Sequence, residues 1–205
     1  MNNAQSQTET DKNEIRSALL KLSHKACFRK AEDSIYKFDD VESADFIVPP
    51  CLPENLGSAA FRRFLGIKYA YLGGSMANGI SSAQLALELG RAGMCGFFGS
   101  AGLSPTETEA AAQQLQEKAS GRIYGFNLIN SPQDPKWEED AADLFLRYGI
   151  KLIEASAYIA LSPALVRFRT KGISKSQDGS INVPHKVIGK VSRVEVAERF
   201  FSPPP

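Results

Sequence analysis

The sequence predicts an α/β protein built from repeated parallel β/α units. Three observations predict it. First, apolar stretches of strand length start near Lys68, Cys95, Ile123, Lys151 and Lys186, and the first four starts are 27, 28 and 28 residues apart. That step holds one strand, one crossover helix and two short loops. Second, helix start and stop signals fall at the same period. Ser104-Pro105-Thr106-Glu107 combines a capping hydroxyl, a proline at the first helical position and a carboxylate three residues after the cap. Ser81 to Gln84 and Ser192 to Glu195 repeat the capping-box spacing, Asp134-Pro135 and Ser162-Pro163 are cap-then-proline starts, and Gly93, Gly121, Gly149 and Gly172 stand where helices stop. Third, the run 68–73 ends in two glycines and a small polar loop before a helical pattern begins at Ser81. A strand, a loop built for close backbone approach and a helix start follow one another there.

Taken in order, residues 1–25 read as a polar, flexible tail, interrupted by one short apolar patch over 18–22 that allows a frayed or weakly docked helix. Residues 26–66 read as an irregular amino-terminal arm. Its near-alternating segment Ser34-Ile35-Tyr36-Lys37-Phe38 suggests short strands or a hairpin, the proline-rich run 49–53 a rigid connector, and Asn55 to Phe64 a lead-in helix. Residues 67–205 hold the five β/α units. The fifth step, 35 residues, is lengthened by a polar loop from Gly172 to Asn182 with an Asp178-Gly179 turn. Five parallel strands fit an open doubly wound sheet, or five-eighths of a (β/α)₈ barrel, a fold of about 250 residues. Pattern alone leaves both open.

A chain of 205 residues buries a substantial core. A formal net charge of +1 gives no basis for a nucleic-acid groove or a polybasic membrane patch. Three cysteines without paired spacing and two histidines make no metal cluster, and the thiols read as free in a reducing compartment, hence a cytoplasmic protein. The polar first ten residues carry no signal-peptide core, and no apolar run approaches the length of a membrane span.

The site, if there is one, lies at the carboxyl ends of the strands, with Gly73 to Gly79 as its first wall. The Gly74 to Gly79 spacing is that of a phosphate loop, but no lysine follows Gly79, and the dinucleotide spacing G-x-G-x-x-G is absent there. A tight turn and a backbone wall against a planar ligand both remain open. Gly96 to Gly102 repeats the theme after the second strand. Asn127 puts an amide inside the apolar third strand, on the same face as Ile123 and Gly125. Gly125 leaves room beside it for a ligand or a backbone. Glu154 puts a carboxylate in the fourth strand, where it is costly unless paired, and Lys190 on the fifth strand is the partner type at hand. His185 follows Pro184 in a loop and has little claim to catalysis. No Ser/His/Asp or Cys/His arrangement stands out.

The segments 48–57 (VPPCLPENLG) and 67–80 (IKYAYLGGSMANGI) resemble the PfaD-type trans-acting enoyl reductases of polyketide and polyunsaturated-fatty-acid synthases. The resemblance continues through 99–105 (GSAGLSP), 124–132 (YGFNLINSP), 153–157 (IEASA), 161–169 (LSPALVRFR) and 190–196 (KVSRVEV). That family is similar to the nitronate monooxygenases, which are FMN-dependent TIM barrels. The resemblance implies an incomplete TIM barrel, about five of eight strands, and reduction of enoyl thioesters on an acyl carrier protein, with FMN as cofactor and NADPH as hydride source. It places Gly74, Met76, Ala77 and Asn78 along the flavin ring and Asn127 at the ring's polar edge. Glu154 lies beside Asn127, and Lys190 faces the ring or its ribityl chain. No catalytic residue and no metal ligand follows from it. Relatives continue through three more strands and a helical insertion, and barrel phosphate sites are commonly built by the loops after strands seven and eight. The resemblance therefore implies the amino-terminal part of such an enzyme, binding FMN weakly by itself. Two rival readings stand beside it. One is a non-catalytic α/β module that binds a carrier protein or complements a separate carboxyl-terminal half. The other is a flavodoxin-like five-strand domain, which a reversal of strand order would reveal.

Overall fold

A computed structural model describes residues 12–31 and 34–203. Residues 1–11, part of the expected tail, lie outside the described residues. The chain divides into two compact units, Met1–Ala59 and Ala60–Pro205.

In the first unit, helix α1 spans 12–20. Strand β1 (Ala26–Ala31) pairs antiparallel with both β2 (Ser34–Phe38) and β3 (Phe46–Val48), in the order β2-β1-β3. Cys27 faces Phe38 on one side and Ile47 on the other. The expected hairpin is β1–β2. A small core of Ala18, Ala26 and Phe28, with Ile15 against it, joins helix to sheet.

All but the first residue of α2 (Ala59–Leu65) opens the second unit. The lead-in helix expected over 55–64 is therefore shifted. Pro53–Asn55 forms a single 3-10 turn, and the helix starts beyond Gly57, whose φ of 70° interrupts any continuous helix. The sheet strands are β4 (Leu72–Gly73), β5 (Cys95–Phe98), β6 (Gly125–Ile129), β7 (Leu152–Ser156) and β10 (Lys186–Gly189). A two-strand hairpin, β8 (Ser174–Lys175) with β9 (Ile181–Asn182), occupies the polar insertion before β10. The sheet order is β10-β7-β6-β5-β4, every pairing parallel. Neighbours follow chain order without reversal, so the sheet is a curled, incomplete TIM barrel and the doubly wound alternative is excluded.

Between strands run α3 (Ala83–Arg91), α4 (Pro105–Lys118), α5 (Pro135–Arg147) and α6 (Pro163–Thr170), and α7 (Val194–Phe201) follows β10. Three start signals act as expected. Ser104 forms a complete capping box with Glu107, and Asp134 and Ser162 accept from the backbone of Trp137 and Leu165. Two differ. The cap of α3 is Ser82, because Ser81 is buried and its hydroxyl donates to the Phe97 carbonyl at 2.8 Å. Helix α7 starts after Arg193 with no side-chain cap, so Ser192 is not the cap.

Strand alternation sorts the core into two layers. Phe98, Phe126, Leu128, Ile153 and Ala155 point outward and pack with residues of α3 to α6, among them Leu87, Leu115, Phe145 and Phe168. Cys95, Phe97 and Leu152 point inward and pack with Leu65 and Ile67, with Phe61 and Leu72 against them. Helix α2 lies apart from these helices: its Phe61 and Leu65 close the inner face from below.

Candidate functional site

Above this apolar floor the inward positions turn polar. The parallel register sets Asn127 beside Glu154 and Ile129 beside Ser156. Just past the end of β10 the next inward position is Lys190, whose backbone N–H donates to the Ala155 carbonyl at 2.9 Å. Asn127 and Glu154 are 6% and 7% exposed. Asn127 Oδ1 accepts from the Ala101 N–H at 3.2 Å and from the Ser100 hydroxyl at 3.0 Å, and that hydroxyl also lies 2.7 Å from the Asn127 carbonyl. The amide oxygen thus orients the β5–α4 loop, while Nδ2 donates to no protein group among the hydrogen bonds of the described residues. The Ser156 hydroxyl, in the next inward row, is a buried side-chain oxygen with no partner among the described residues. Ala157 follows it at a φ of 61°, an uncommon conformation for a residue with a side chain.

Glu154 is compensated from two directions. Its Oε1 pairs with Lys190 Nζ at 3.3 Å. Its Oε2 accepts from the Ser75 N–H at 2.9 Å and from the Ser75 hydroxyl in a short hydrogen bond. Lys190 Nζ also approaches the Ser75 carbonyl at 3.5 Å. Ser75 belongs to the loop after β4, so residues from three strand ends converge inside the curl.

That loop is stitched to the one after β5. Asn78 N–H donates to the Ala101 carbonyl at 2.7 Å and Gly79 N–H to the Gly99 carbonyl at 2.9 Å. A Cβ on Gly99 would overlap the Met76 carbonyl, so the approach requires glycine. The Asn78 side chain rests against Gly102. Met76 is 46% exposed, and Ala77 is exposed beside it. The room expected beside Gly125 is filled: a Cβ there would overlap the Phe97 ring. Phe97 closes the floor at that point, so a ligand would sit above it.

Some groups serve the scaffold. Glu138 is buried on α5 and accepts from the Asn130 amide at 3.1 Å, the Ser131 N–H at 3.1 Å, the Tyr158 hydroxyl at 2.7 Å and, in a short bond, the Ser162 hydroxyl. It ties together the loops after β6 and β7. Burial, then the hydrogen bond to Glu138, pushes the Tyr158 hydroxyl pKa well above its ordinary value. His185 donates from Nδ1 to the Lys171 carbonyl at 2.8 Å and lies 4.9 Å from the Phe168 ring. Burial holds its pKa below the usual imidazole range, which fits an anchor of the insertion. Burial, with Glu154 nearby, raises the Cys95 thiol to about 12, which leaves it unreactive at neutral pH.

Of the seven residues singled out in the sequence, Asn127, Glu154 and Lys190 meet on the inner face, and Gly74, Met76, Ala77 and Asn78 form the adjoining loop. Sequence reasoning missed Ser75, Ser156 and Glu138. The period-2 pattern of Leu152 to Ser156 could have flagged Ser156 as inward-facing; nothing local marks Ser75. A cavity of 590 Å³ lies at the opposite, amino-terminal end of the strands, lined in part by Leu65, Met94, Arg122 and Lys151. Among the described residues no group of histidine, cysteine, aspartate and glutamate side chains could hold a metal ion, and no helix is long and apolar enough to cross a membrane.

No family model matches the chain. It is 44% identical over 153 residues to the polyketide biosynthesis protein PksE of Bacillus subtilis, a match that covers 74% of this chain and 20% of that protein. It is 39% identical over 170 residues to one of the subunits of a polyunsaturated fatty acid synthase from a Thraustochytrium species, covering 82% of this chain and 11% of that one. The chain thus spans a fifth or less of the length of these relatives. Among solved structures it resembles the enoyl reductase domain of MlnA from the macrolactin biosynthesis cluster of Bacillus amyloliquefaciens. The TM-score is 0.71 and the identity 38%, over 74% of this chain and 35% of that one. A mutant of FabK from Thermotoga maritima, at 21% identity and a TM-score of 0.52, shares the fold. Over the segment that it shares with these proteins, the resemblance of the chain to the PfaD-type enoyl reductases of polyketide and polyunsaturated-fatty-acid synthases is borne out.

Proposed function

We propose that this chain forms part of the FMN site of an enoyl reductase that acts on carrier-protein-bound enoyl thioesters in polyketide or polyunsaturated-fatty-acid biosynthesis. NADPH is the hydride source and the cytoplasm the compartment. The observation that carries the reading is the buried, orphaned Ser156 hydroxyl at the inner strand ends, together with Asn127 Nδ2, which has no protein acceptor among the described residues. Buried polar groups are normally partnered, and a flavin's polar edge offers acceptors and a donor. The other residues suit the ring as well. Met76 and Ala77 give an apolar wall, Gly99 lets that wall come close, and the Phe97 floor keeps water from below. Lys190, half exposed, adds positive charge near the ring, which favours a reduced, anionic flavin. When bound, FMN would supply hydride transfer between the nicotinamide and the β-carbon of the enoyl group. The protein's own part is to bind, orient and exclude water.

Fluorescence titration of the 205-residue chain with FMN and with riboflavin tests this. Saturable quenching by both is expected, because the residues in question address the ring. Asn127→Ala should weaken binding by about 1–3 kcal/mol, the cost of leaving polar groups unpaired. Absence of saturable binding, or an unchanged affinity in the variant, would overturn the reading.

A second reading, a module that complements a separate half, is favoured by one specific observation. A groove of 290 Å³ runs beside the unpaired edge of β10, lined in part by Leu161, Leu165, Val187, Val191 and Phe201. Phe201 there is 87% exposed. Unpaired parallel edges with apolar flanks are normally covered. Co-elution with a separately expressed carboxyl-terminal half, without any flavin binding, would support this second reading over the first.

A further inference from the structure

We propose that Glu154 is a positioning residue that acts through Ser75 to hold the loop Gly74 to Ala77 against the strand ends. The inference rests on the reading of those strand ends as a flavin site. Glu154 stands on β7 and Ser75 follows β4, with β5 and β6 between them in the sheet. The carboxylate therefore reaches across the inside of the curl. Both Ser75 donors converge on Oε2, and Lys190 compensates Oε1 while approaching the Ser75 carbonyl.

The two halves of the loop are held differently. From Asn78 onward, backbone hydrogen bonds to Gly99 and Ala101 fix it. At Ser75 the hydrogen bonds that arrive from outside the loop come from Glu154 and Lys190. Gly74 lies close by: a Cβ there would stand 3.4 Å from Glu154 Oε1, at the near limit of ordinary van der Waals contact. The charge is tolerable because it is matched. The carboxylate is 7% exposed, and it has a cation and two donors. Met76 and Ala77, next along the loop, thus follow a backbone fixed at Ser75 by the carboxylate, with the Ser81 N–H donating to the Met76 carbonyl at 3.2 Å from the helix side. Lys190 is then held mainly by Glu154, and its position follows from that of the carboxylate.

Hydrogen exchange read by mass spectrometry on the 205-residue chain decides the matter without any ligand. In Glu154→Ala, peptides covering Ser75 to Ala77 should exchange about tenfold faster, in keeping with the loss of hydrogen bonds to a charged group. Peptides covering β6 should stay close to wild type. In Glu154→Gln the amide oxygen can take the place of Oε2 and accept from both Ser75 donors, so protection should return. Riboflavin affinity should follow the same order, falling about tenfold in Glu154→Ala and recovering in Glu154→Gln. The proposal fails if Ser75 to Ala77 keep wild-type exchange in Glu154→Ala. It fails as well if β6 loosens equally, since Glu154 would then be a general stability residue. It also fails if wild type binds riboflavin and Glu154→Ala binds it equally well. Wild type that does not bind flavin at all would overturn the flavin reading, while the exchange data would still decide what holds the loop.

Discussion

The lower and upper halves of the inner sheet face belong to one sheet, two residues apart along β7, and differ in almost every physical respect. Below lie Cys95, Phe97 and Leu152, fully buried and packed against Leu65 of α2. Above lie Asn127, Glu154, Ser156 and Lys190, whose polar atoms are satisfied by loops, by each other or not at all. The lower half is held by dispersion and the removal of apolar area from water. The upper half keeps polar groups where Val or Leu would pack with less cost. A fold that needed only stability would carry the apolar layer upward. The change of character at Gly125 and Asn127 is where the packed floor ends and the candidate site begins.

The largest expected effect tests the lower half. Phe97 is 1% exposed, and its ring fills the space over Gly125. Phe97→Ala should cost about 3–5 kcal/mol in urea unfolding. A loss below about 1 kcal/mol would mean that the floor collapses freely and that no packed layer separates the site from the amino-terminal end. Gly125→Ala addresses the same contact from the other side. A methyl group overlapping the Phe97 ring should cost about 1–3 kcal/mol through overpacking. A neutral result would show that the ring swings aside and that the space under Asn127 is open to a ligand after all.

An alkaline titration sharpens the comparison next. Burial raises the Cys95 thiol from 9.0 to about 12. Between those values the unfolded chain releases a proton that the folded chain keeps, so stability is intact below pH 9 and falls as pH rises toward 12. The slope for this one group approaches about 1.4 kcal/mol per pH unit. Urea unfolding at pH 7 and at pH 10, with Cys95→Ala as the control, measures it; a fall just as steep in the variant would assign the effect to other groups. Cys51, which is exposed, should react with a thiol reagent in the folded protein well before Cys95 does.

Legibility from the sequence followed burial. Strands β5, β6 and β7 are buried on both faces, so their residues form the continuous apolar runs that gave the 28-residue period. The caps Ser104, Asp134 and Ser162 were readable because capping is settled within four residues. Ser81 and Ser82 were not distinguishable in that way. Both carry hydroxyls, and only the tertiary demand of the Phe97 carbonyl claims Ser81. Strand β4 was expected from Lys68, yet pairing begins at Leu72, because the N–H groups of Lys68 and Tyr69 turn toward the Gly93 carbonyl. The pairing of Glu154 with Lys190 could be read from residue types on neighbouring strands. Ser75, 79 residues from Glu154, could not, since no local pattern encodes a contact across the inside of a curled sheet. The Phe97 ring over Gly125 escaped for the same reason.

The smallest expected effect concerns Lys190, and it separates the two halves most sharply. Lys190 and Glu154 form an ion pair at 3.3 Å, with the lysine side chain 51% exposed and the carboxylate side chain 9% exposed. If the upper half were a stability core, removing the cation would strand a buried charge and cost several kcal/mol. The geometry argues otherwise. In Lys190→Met, Oε2 retains both Ser75 donors, and the apolar stem that covers the strand end is largely kept. Half the lysine was already solvated, so its Coulomb contribution is screened. The expected cost is about 1 kcal/mol or less, and it should shrink further in 1 M salt, where the screening length is about 3 Å. Urea unfolding of wild type and variant at low and high salt gives both numbers. A loss beyond about 3 kcal/mol that salt does not reduce would place Glu154 and Lys190 with Phe97 and Leu152 in one continuous core, and the division between scaffold and site would disappear.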